Sequence, residues 1–296
     1  MRKPISSQTP SKLRSWLSHQ EEREYRADQI LHWVQRNHAA NWSEMTNLTE
    51  LLQNKLSREF EFSTIKVICK QGSADTTQKF LWKLRDGQLV ESVLIPASQS
   101  LYGNQSDRHT LCVSTQVGCA YGCKFCASGL DGFKRDLEPS EIIDQVLATE
   151  RWHKNQAGAT ERIINNLVVM GMGEPLANYD KLMVALEILN ADWGANIGAR
   201  KITISTSGLV PEIRRLAQHP RQYRLAISLH AATDEVRDHI MPVNKKYPLG
   251  ELTAAIEEYQ QTKTGKITLE YVLIAQLNDS LDQAKALAKL AKRLRA

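Results

Sequence analysis

The 296-residue sequence predicts an α/β fold in which strands alternate with helices, preceded by a small accessory module of helices and antiparallel strands. Three observations carry this reading. From Thr110 onward, short runs rich in Val, Ile and Leu alternate with longer runs whose apolar residues recur three or four apart, the spacing of one helix face. The first sixty residues show the helical spacing alone. Between the two regions, residues 63–96 read as extended chain broken by an Arg85-Asp86-Gly87 turn signal.

The elements follow in order. Trp16, Ile30, Trp33, Val34, Leu51, Leu52 and Leu56 fall at helical spacings, with Asn37–Asn41 as a break. The tryptophans read as core rather than as RNA-stacking platforms. Thr64–Ile68, Lys79–Leu84 and Leu89–Ile95 form a small antiparallel unit, and Pro96–Arg108 is a polar loop. The strands beyond are expected at 111–117, 163–170, 201–206, 224–229 and 267–274, and the helices at 140–153, 179–190, 210–218, 249–262 and 280–295. Strand–helix alternation implies parallel strands joined by right-handed crossovers. Five such units suit an open doubly wound sheet or part of a barrel. The expected domains are therefore 1–100 and 105–296.

Composition narrows the classes. Hydrophobic residues make up 42% and charged residues 24%, enough apolar side chain for a core and too much for a disordered chain. No apolar run approaches the roughly 20 residues of a membrane helix, and Met1–Ile5 has no apolar signal core behind it, so a cytoplasmic protein is expected. The net charge of +5 permits a nucleic-acid partner without requiring one. Much of it sits in one helix: Lys285, Lys289, Lys292, Arg293 and Arg295 face a single acid, Asp282.

Chemistry concentrates in the cysteines. Four of five (Cys112, Cys119, Cys123, Cys126) lie within fifteen residues, an odd total that argues against a disulfide framework. Gly118–Cys126 spells Cys-x3-Cys-x2-Cys directly after the first expected strand of the alternating region. Thiolates select zinc or iron–sulfur centres. Structural zinc is normally closed by four protein ligands, whereas three cysteines leave one position open, as in a cubane cluster with one iron free for substrate. The competing readings are zinc completed by Cys112 or His109, or unligated buried cysteines.

The cysteine spacing resembles that of the radical S-adenosylmethionine (radical SAM) superfamily, whose fold is a six-unit partial β/α barrel. The segments Thr110–Cys119, Gly129–Arg135, Gly171–Leu176, Ser205–Gly208 and Ala226–His230 resemble those of the RlmN/Cfr family of RNA adenine methyltransferases, and Trp42–Leu48 its RlmN branch. The resemblance runs over nearly the whole chain. It implies that Cys119, Cys123 and Cys126 bind a [4Fe-4S] cluster. It also implies that Gly173, Glu174, Ser205, Ser228, Leu229 and His230 bind SAM. These residues fall at the C-terminal ends of successive strands, where barrel enzymes place their working groups. By the same resemblance Glu91 is the general base and Cys112 the resolving cysteine; Cys69 has no counterpart role in the family and reads as structural. From the residues alone, Glu91 reads as an outward residue of an alternating strand, Cys112 as a small buried hydrophobe and His230 as a satisfied core histidine. A Rossmann-type methyltransferase, suggested by Gly171-x-Gly173, lacks its acid at the end of the next strand, and no phosphate-cradling Walker loop is present.

The implied reaction is methylation of adenine carbon-2 in 23S ribosomal RNA and transfer RNA. One SAM methylates a carrier cysteine. A second is cleaved reductively, and its 5′-deoxyadenosyl radical takes a hydrogen from that methyl group. The methylene radical adds to the ring, a base removes the ring proton, and the resolving cysteine frees the product as a disulfide forms. A reductant protein such as flavodoxin is implied, and a monomer is expected. The carrier cysteine lies near the family's C-terminus, yet no cysteine follows Cys126, and the sixth strand with its asparagine is also missing. The expectation is thus an incomplete barrel of five units, with an uncapped last helix, an unpaired edge at strand five and no RNA methylation by this polypeptide as it stands. The alternatives are another radical SAM enzyme needing no carrier, a Cfr-type carbon-8 methyltransferase, or a non-catalytic iron–sulfur RNA-binding protein.

Overall fold

The computed structural model describes residues 2–72, 77–97, 108–157 and 162–296. These form two compact units. The first comprises residues up to Val113, Leu137–Asn166 and Asp180–Gly198; the second comprises Ser114–Asp136, Leu167–Tyr179 and Ala199–Ala296.

The first unit opens with three ten-residue helices, α1 (Pro10–His19), α2 (Arg26–Gln35) and α3 (Glu50–Glu59). The Thr9 and Thr49 hydroxyls accept from the amides of Lys12 and Leu52, which satisfies donors that every helix start leaves open. Leu13 with Leu17, Ile30 with Val34, and Leu52 with Leu56 are buried pairs four residues apart. Leu51 falls outside that stripe and is exposed, contrary to the core role its spacing suggests. Trp16 and Trp42 are half-buried against Phe60 and Phe62, and the Trp33 indole donates to Asn47, so all three serve packing within this module. A short parallel pair, β1 (Lys3–Pro4) and β2 (Phe60–Glu61), ties its ends together.

Four antiparallel strands follow: β3 (Ile65–Gln71), β4 (Gln78–Leu84), β5 (Leu89–Pro96) and β6 (His109–Cys112). One face of β4 and β5 carries the buried Phe80, Trp82, Val90, Ser92 and Leu94. The long helix α4 (Pro139–Ala157) belongs to this unit. Its Asp144 accepts from the Thr64 amide and hydroxyl at 2.6 Å, and its Gln145 accepts from Ser92, which in turn accepts from the Trp82 indole. Trp152 packs edge-on to Phe80. Helix α5 (Tyr179–Asn190) buries Leu182, Leu186 and Leu189.

The second unit contains the hairpin of β7 (Gln116–Val117) and β8 (Arg135–Asp136). It also contains four parallel strands, β9 (Asn166–Val169), β10 (Ile202–Thr206), β11 (Arg224–Ser228) and β12 (Thr268–Glu270), each paired to the next in chain order. Its helices are α6 (Val210–Gln218), α7 (Asp234–Ile240), α8 (Leu249–Thr262) and α9 (Leu281–Arg293).

Three expectations change. The strand expected at 111–117 is two strands: after Cys112 the amides of Thr115 and Gln116 turn to the Met172 carbonyl and the Ser114 hydroxyl accepts from the Met172 amide. The strand expected at 267–274 stops at Glu270, because the next donors go to side chains: the Val272 amide to His230 Nδ1 and the Ile274 amide to Asn278. Helix α9 is capped rather than open: Arg295 takes φ 47°, the Ala296 amide reaches the Ala291 carbonyl at 3.0 Å, and the Ser280 hydroxyl caps the start. Among the described residues, no helix is long and apolar enough to cross a membrane.

Candidate active site

The site lies within the second unit, in a cavity of about 200 Å³ lined by the cysteine loop and by residues at or just beyond the ends of β9 to β12. The loop between β7 and β8 closes on backbone at its base. Gly118 has φ 73°, and a Cβ there would stand 1.8 Å from the Gly132 carbonyl oxygen, so only glycine closes this stem. The Cys126 amide bonds back to the Cys123 carbonyl, and the Lys124 amide to that of Ile240, the last residue of α7.

All three loop cysteines line the cavity and are half-buried. Burial, reinforced by Cys119, Cys126 and Glu174, pushes the Cys123 thiol up to about 12, and burial also raises Cys119. Three thiolates are costly here without a cationic centre, and a sulfur-only donor set of this kind suits iron or another soft metal. Among the described residues, no three His, Cys, Asp or Glu side chains converge closely enough to share one metal ion.

The loop after β9 reaches the same cavity. Gly173 has φ 98°, and a Cβ there would fall 2.5 Å from the Gln116 Cβ. Gln116 clips this loop to the hairpin: its Oε1 accepts from the Glu174 amide and its Nε2 donates to Asp136, both at 2.8 Å. Glu174 is buried, and burial raises its pKa. Its Oε2 accepts from the Ser207 amide and hydroxyl at 2.7 Å, and its Oε1 from the Leu176 amide at 3.1 Å. The carboxylate thus joins the end of β10 to the β9 loop and still lines the cavity.

Ser205 of β10 and Ser228 of β11 both donate to Glu270 Oε2 of β12, at 2.7 and 2.9 Å. Register places Ser228 opposite Glu270, while Ser205, opposite Ala226 and so two residues back along the strands, reaches the same carboxylate through its hydroxyl. His230, just past β11, has φ 54° and stands edge-on to Phe125 at 4.6 Å. Its Nδ1 accepts from the Val272 amide, and burial lowers its pKa to about 4. The ring is therefore neutral near pH 7, with its proton on Nε2 as a hydrogen-bond donor. Leu229 differs from its neighbours: its side chain is buried outside the cavity lining, and its amide and carbonyl are taken by Glu270 and Arg237.

Glu91 and Cys112 lie in the first unit. Cys112 is registered opposite Val93 on the adjacent strand, and Glu91, two residues from Val93, shares that sheet face. Glu91 is half-exposed and paired with Lys79 at 2.9 Å.

Sequence reasoning missed Glu270, Arg237, Gln116 and Asn278. Arg237 of α7 is fully buried; it donates to the carbonyls of Ser207, Ser228 and Leu229 and to Asn244, and so ties together the ends of β10 and β11. Burial lowers its pKa to about 10, which leaves it charged at pH 7. Asn278 holds the carbonyls of His230 and Val272. The one advance signal was type: an acid in an apolar strand and an arginine in a short charged helix.

Comparison with known proteins agrees with this arrangement. The radical SAM superfamily model matches residues 113–288, and the ribosomal RNA large subunit methyltransferase N-terminal domain matches residues 5–62. The chain is 53% identical over 292 residues to a probable dual-specificity RNA methyltransferase RlmN of Akkermansia muciniphila, covering 99% of this chain and 79% of that protein. It is 49% identical over 301 residues to a probable dual-specificity RNA methyltransferase RlmN 3 of Opitutus terrae, again covering 99% and 79%. The crystal structure of a radical SAM methyltransferase from Sphaerobacter thermophilus superposes with a TM-score of 0.90 at 41% identity, covering 99% of this chain and 82% of that one. By its fold, by the motifs of both units and by this identity over nearly its full length, the chain belongs to the RlmN family of radical SAM methyltransferases.

Proposed function

We propose that the second unit is the SAM-activating centre of a methyltransferase acting on adenine carbon-2 of ribosomal and transfer RNA. The observation that carries this is the single cavity shared by three cysteines of one loop and by the polar residues at the strand ends. Cys119, Cys123 and Cys126 would hold a [4Fe-4S] cluster, one thiolate to an iron, as the family match supports. When bound, the cluster supplies the electron that cleaves SAM.

The chain's own groups bind and orient. Gly173 lets the backbone of the β9 loop approach the ligand. Glu174, fixed by Ser207 and Leu176, accepts from an ammonium group. Ser205 and Ser228 present hydroxyls that are aligned by Glu270. His230 donates from Nε2, and Leu229 holds the end of β11 in place through its backbone bonds to Glu270 and Arg237. Phe125 and Met241 wall the cavity with apolar surface, which keeps water from a reactive centre. Glu91 is the proposed base and Cys112 the resolving thiol. The names of the relatives support RNA as substrate and the RlmN branch over the carbon-8 alternative. A cytoplasmic monomer reduced by a flavodoxin-like protein completes the reading. The 296 residues carry no cysteine after Cys126, so the readouts that belong to them are cluster assembly, SAM binding and SAM cleavage.

The test is electron paramagnetic resonance on the anaerobically reconstituted, reduced protein. SAM should change the cluster's spectrum, and dithionite should release 5′-deoxyadenosine. A spectrum indifferent to SAM would sink the proposal and leave a non-catalytic metal protein.

A further inference from the structure

The first unit contains a second cavity, about 730 Å³, that the cluster and SAM chemistry does not use. Its walls include His32 and Arg36 at the end of α2, His38, Arg162, and Asp192 with Trp193 in the turn after α5. The turn is built stiffly: a Cβ on Gly194 would stand 1.8 Å from the Ile188 carbonyl oxygen, and Asn196 takes φ 53°. Two guanidinium groups are fastened to it. Arg36 donates to the Asp192 carbonyl and Arg162 to the Ala195 carbonyl.

Neither arginine has a carboxylate within ion-pair distance among the described residues. The acids nearby each hold another donor. Asp28 is held by Arg14 at 3.0 Å, Asp192 Oδ1 accepts from the Trp193 amide, and Glu150, which acts electrostatically on Arg162, accepts from the amides of Ile163 and Ile164. Lys154 adds a further charge beside the cavity through its bond to the Asn37 carbonyl. Positive charge predominates around them: burial and then Arg162 lower the Arg36 pKa against an opposing pull from Asp192, and burial with Arg151, Arg162 and Lys154 holds His38 near 4. A guanidinium carries five N–H donors in a planar fork, and each of these two uses one on the turn. Two like charges held on one turn, with most of their donors unspent, form a receptor for an anion. The half-buried Trp193 ring adds a flat apolar wall suited to a base or ribose.

We propose that this cavity seats a backbone phosphate of the RNA substrate, with Arg36 and Arg162 as its donors and Trp193 as the wall for the attached nucleoside. The proposal rests on the reading of the protein as an RNA methyltransferase. Transfer RNA binding to the reconstituted protein is measured by fluorescence anisotropy across a salt series. Arg36→Gln/Arg162→Gln should weaken binding about tenfold at 0.1 M salt and flatten the log–log salt slope by about 0.7–0.9, the share of one phosphate contact. Arg36→Lys/Arg162→Lys keeps the charge and loses the forks, so it should keep the slope and bind severalfold more weakly. That pair also keeps the test open if the glutamine pair misfolds. Lys285→Gln/Lys289→Gln, the same charge change on α9, should bind as wild type; an equal loss there would reduce the effect to net charge and overturn the proposal.

Inorganic phosphate separates the two sources of the anion. If phosphate raises the melting temperature of wild type but not of the glutamine pair, while RNA affinity is the same in both, the cavity serves a free anion and the RNA assignment is wrong. No change in either readout overturns the site altogether. Loss of RNA affinity with the SAM-dependent cluster spectrum intact is the expected result. A wild-type cluster that ignores SAM would strike the family reading while leaving the RNA titration interpretable.

Discussion

Gly118 shows how far the site depends on single atoms. Its φ of 73° is strained for any side chain, and its missing Cβ is the space that the Gly132 carbonyl occupies. Gly122 has φ 62° with nothing within 4 Å of its own missing Cβ. The pair separates strain from collision. Gly122→Ala should cost about 1–2 kcal/mol and still load iron, whereas Gly118→Ala should lose more than half of the iron per chain after reconstitution. Equal iron in Gly118→Ala and wild type would show that the stem is not what holds the loop. Glu150 offers a test of sign. Burial, opposed by the amides of Ile163 and Ile164, raises its pKa from 4.5 to about 7. A raised carboxyl binds its proton more tightly in the folded state, so its contribution is complete below pH 4.5 and is lost as pH rises through 7. Wild type should therefore lose up to about 3 kcal/mol relative to Glu150→Gln between pH 4.5 and 7. His38 and His230, both lowered to about 4, act in the opposite direction, so the difference between the two urea curves is the quantity to read. A flat difference would mean that Glu150 is ionised in the folded protein throughout.

At the scale of elements, α7 is the piece that organises the strand ends. Arg237 occupies its middle, and three carbonyls at the ends of β10 and β11 depend on its donors. Arg237→Leu removes the charge and its donors to these buried groups, with the Leu229 carbonyl keeping the Ala231 amide, and should cost about 3–5 kcal/mol, read as a lower urea midpoint at unchanged slope. A loss under 1 kcal/mol would mean that water or a shifted side chain replaces the guanidinium. This helix also marks where sequence reading stops. Helices α5, α6 and α8 were legible to the residue, because each presents a periodic apolar face to its core. In α7 the buried residue is an arginine, and the sequence Asp234–Ile240 looks solvated until its partners are known. The same holds for the site. The three cysteines were legible from spacing on one loop, and Glu174, Ser205, Ser228 and His230 from motifs at the strand ends. Glu270 was not, since its role depends on lying opposite Ser228 in the register, which no local pattern encodes. The split of the expected 111–117 strand was equally hidden, because its cause is a carbonyl more than fifty residues away, at Met172.

For the molecule as a whole, surface chemistry sets behaviour in solution. A net charge of +5 favours dispersal. One margin acts against it. Strand β12 is paired to β11 on one side and stands at the end of its sheet among the described residues, with no strand along the other side. The chain that follows exposes apolar side chains: Leu273 is 74% exposed and Leu281 80%. An unpaired edge beside such residues is a template for association with another chain. Lysines on the edge would oppose this by charge, and neither leucine lines the SAM cavity. Sedimentation velocity should therefore show a weight-average mass that rises with concentration in wild type and stays monomeric in Leu273→Lys/Leu281→Lys, with the SAM-dependent cluster spectrum the same in both. A wild type that stays monomeric at the highest soluble concentration would show that three strand residues are too short an edge to recruit a partner. Association that survives both lysines would place the sticky surface elsewhere, and the exposed apolar side chains of β3, Val67 and Ile68, would be the next to change.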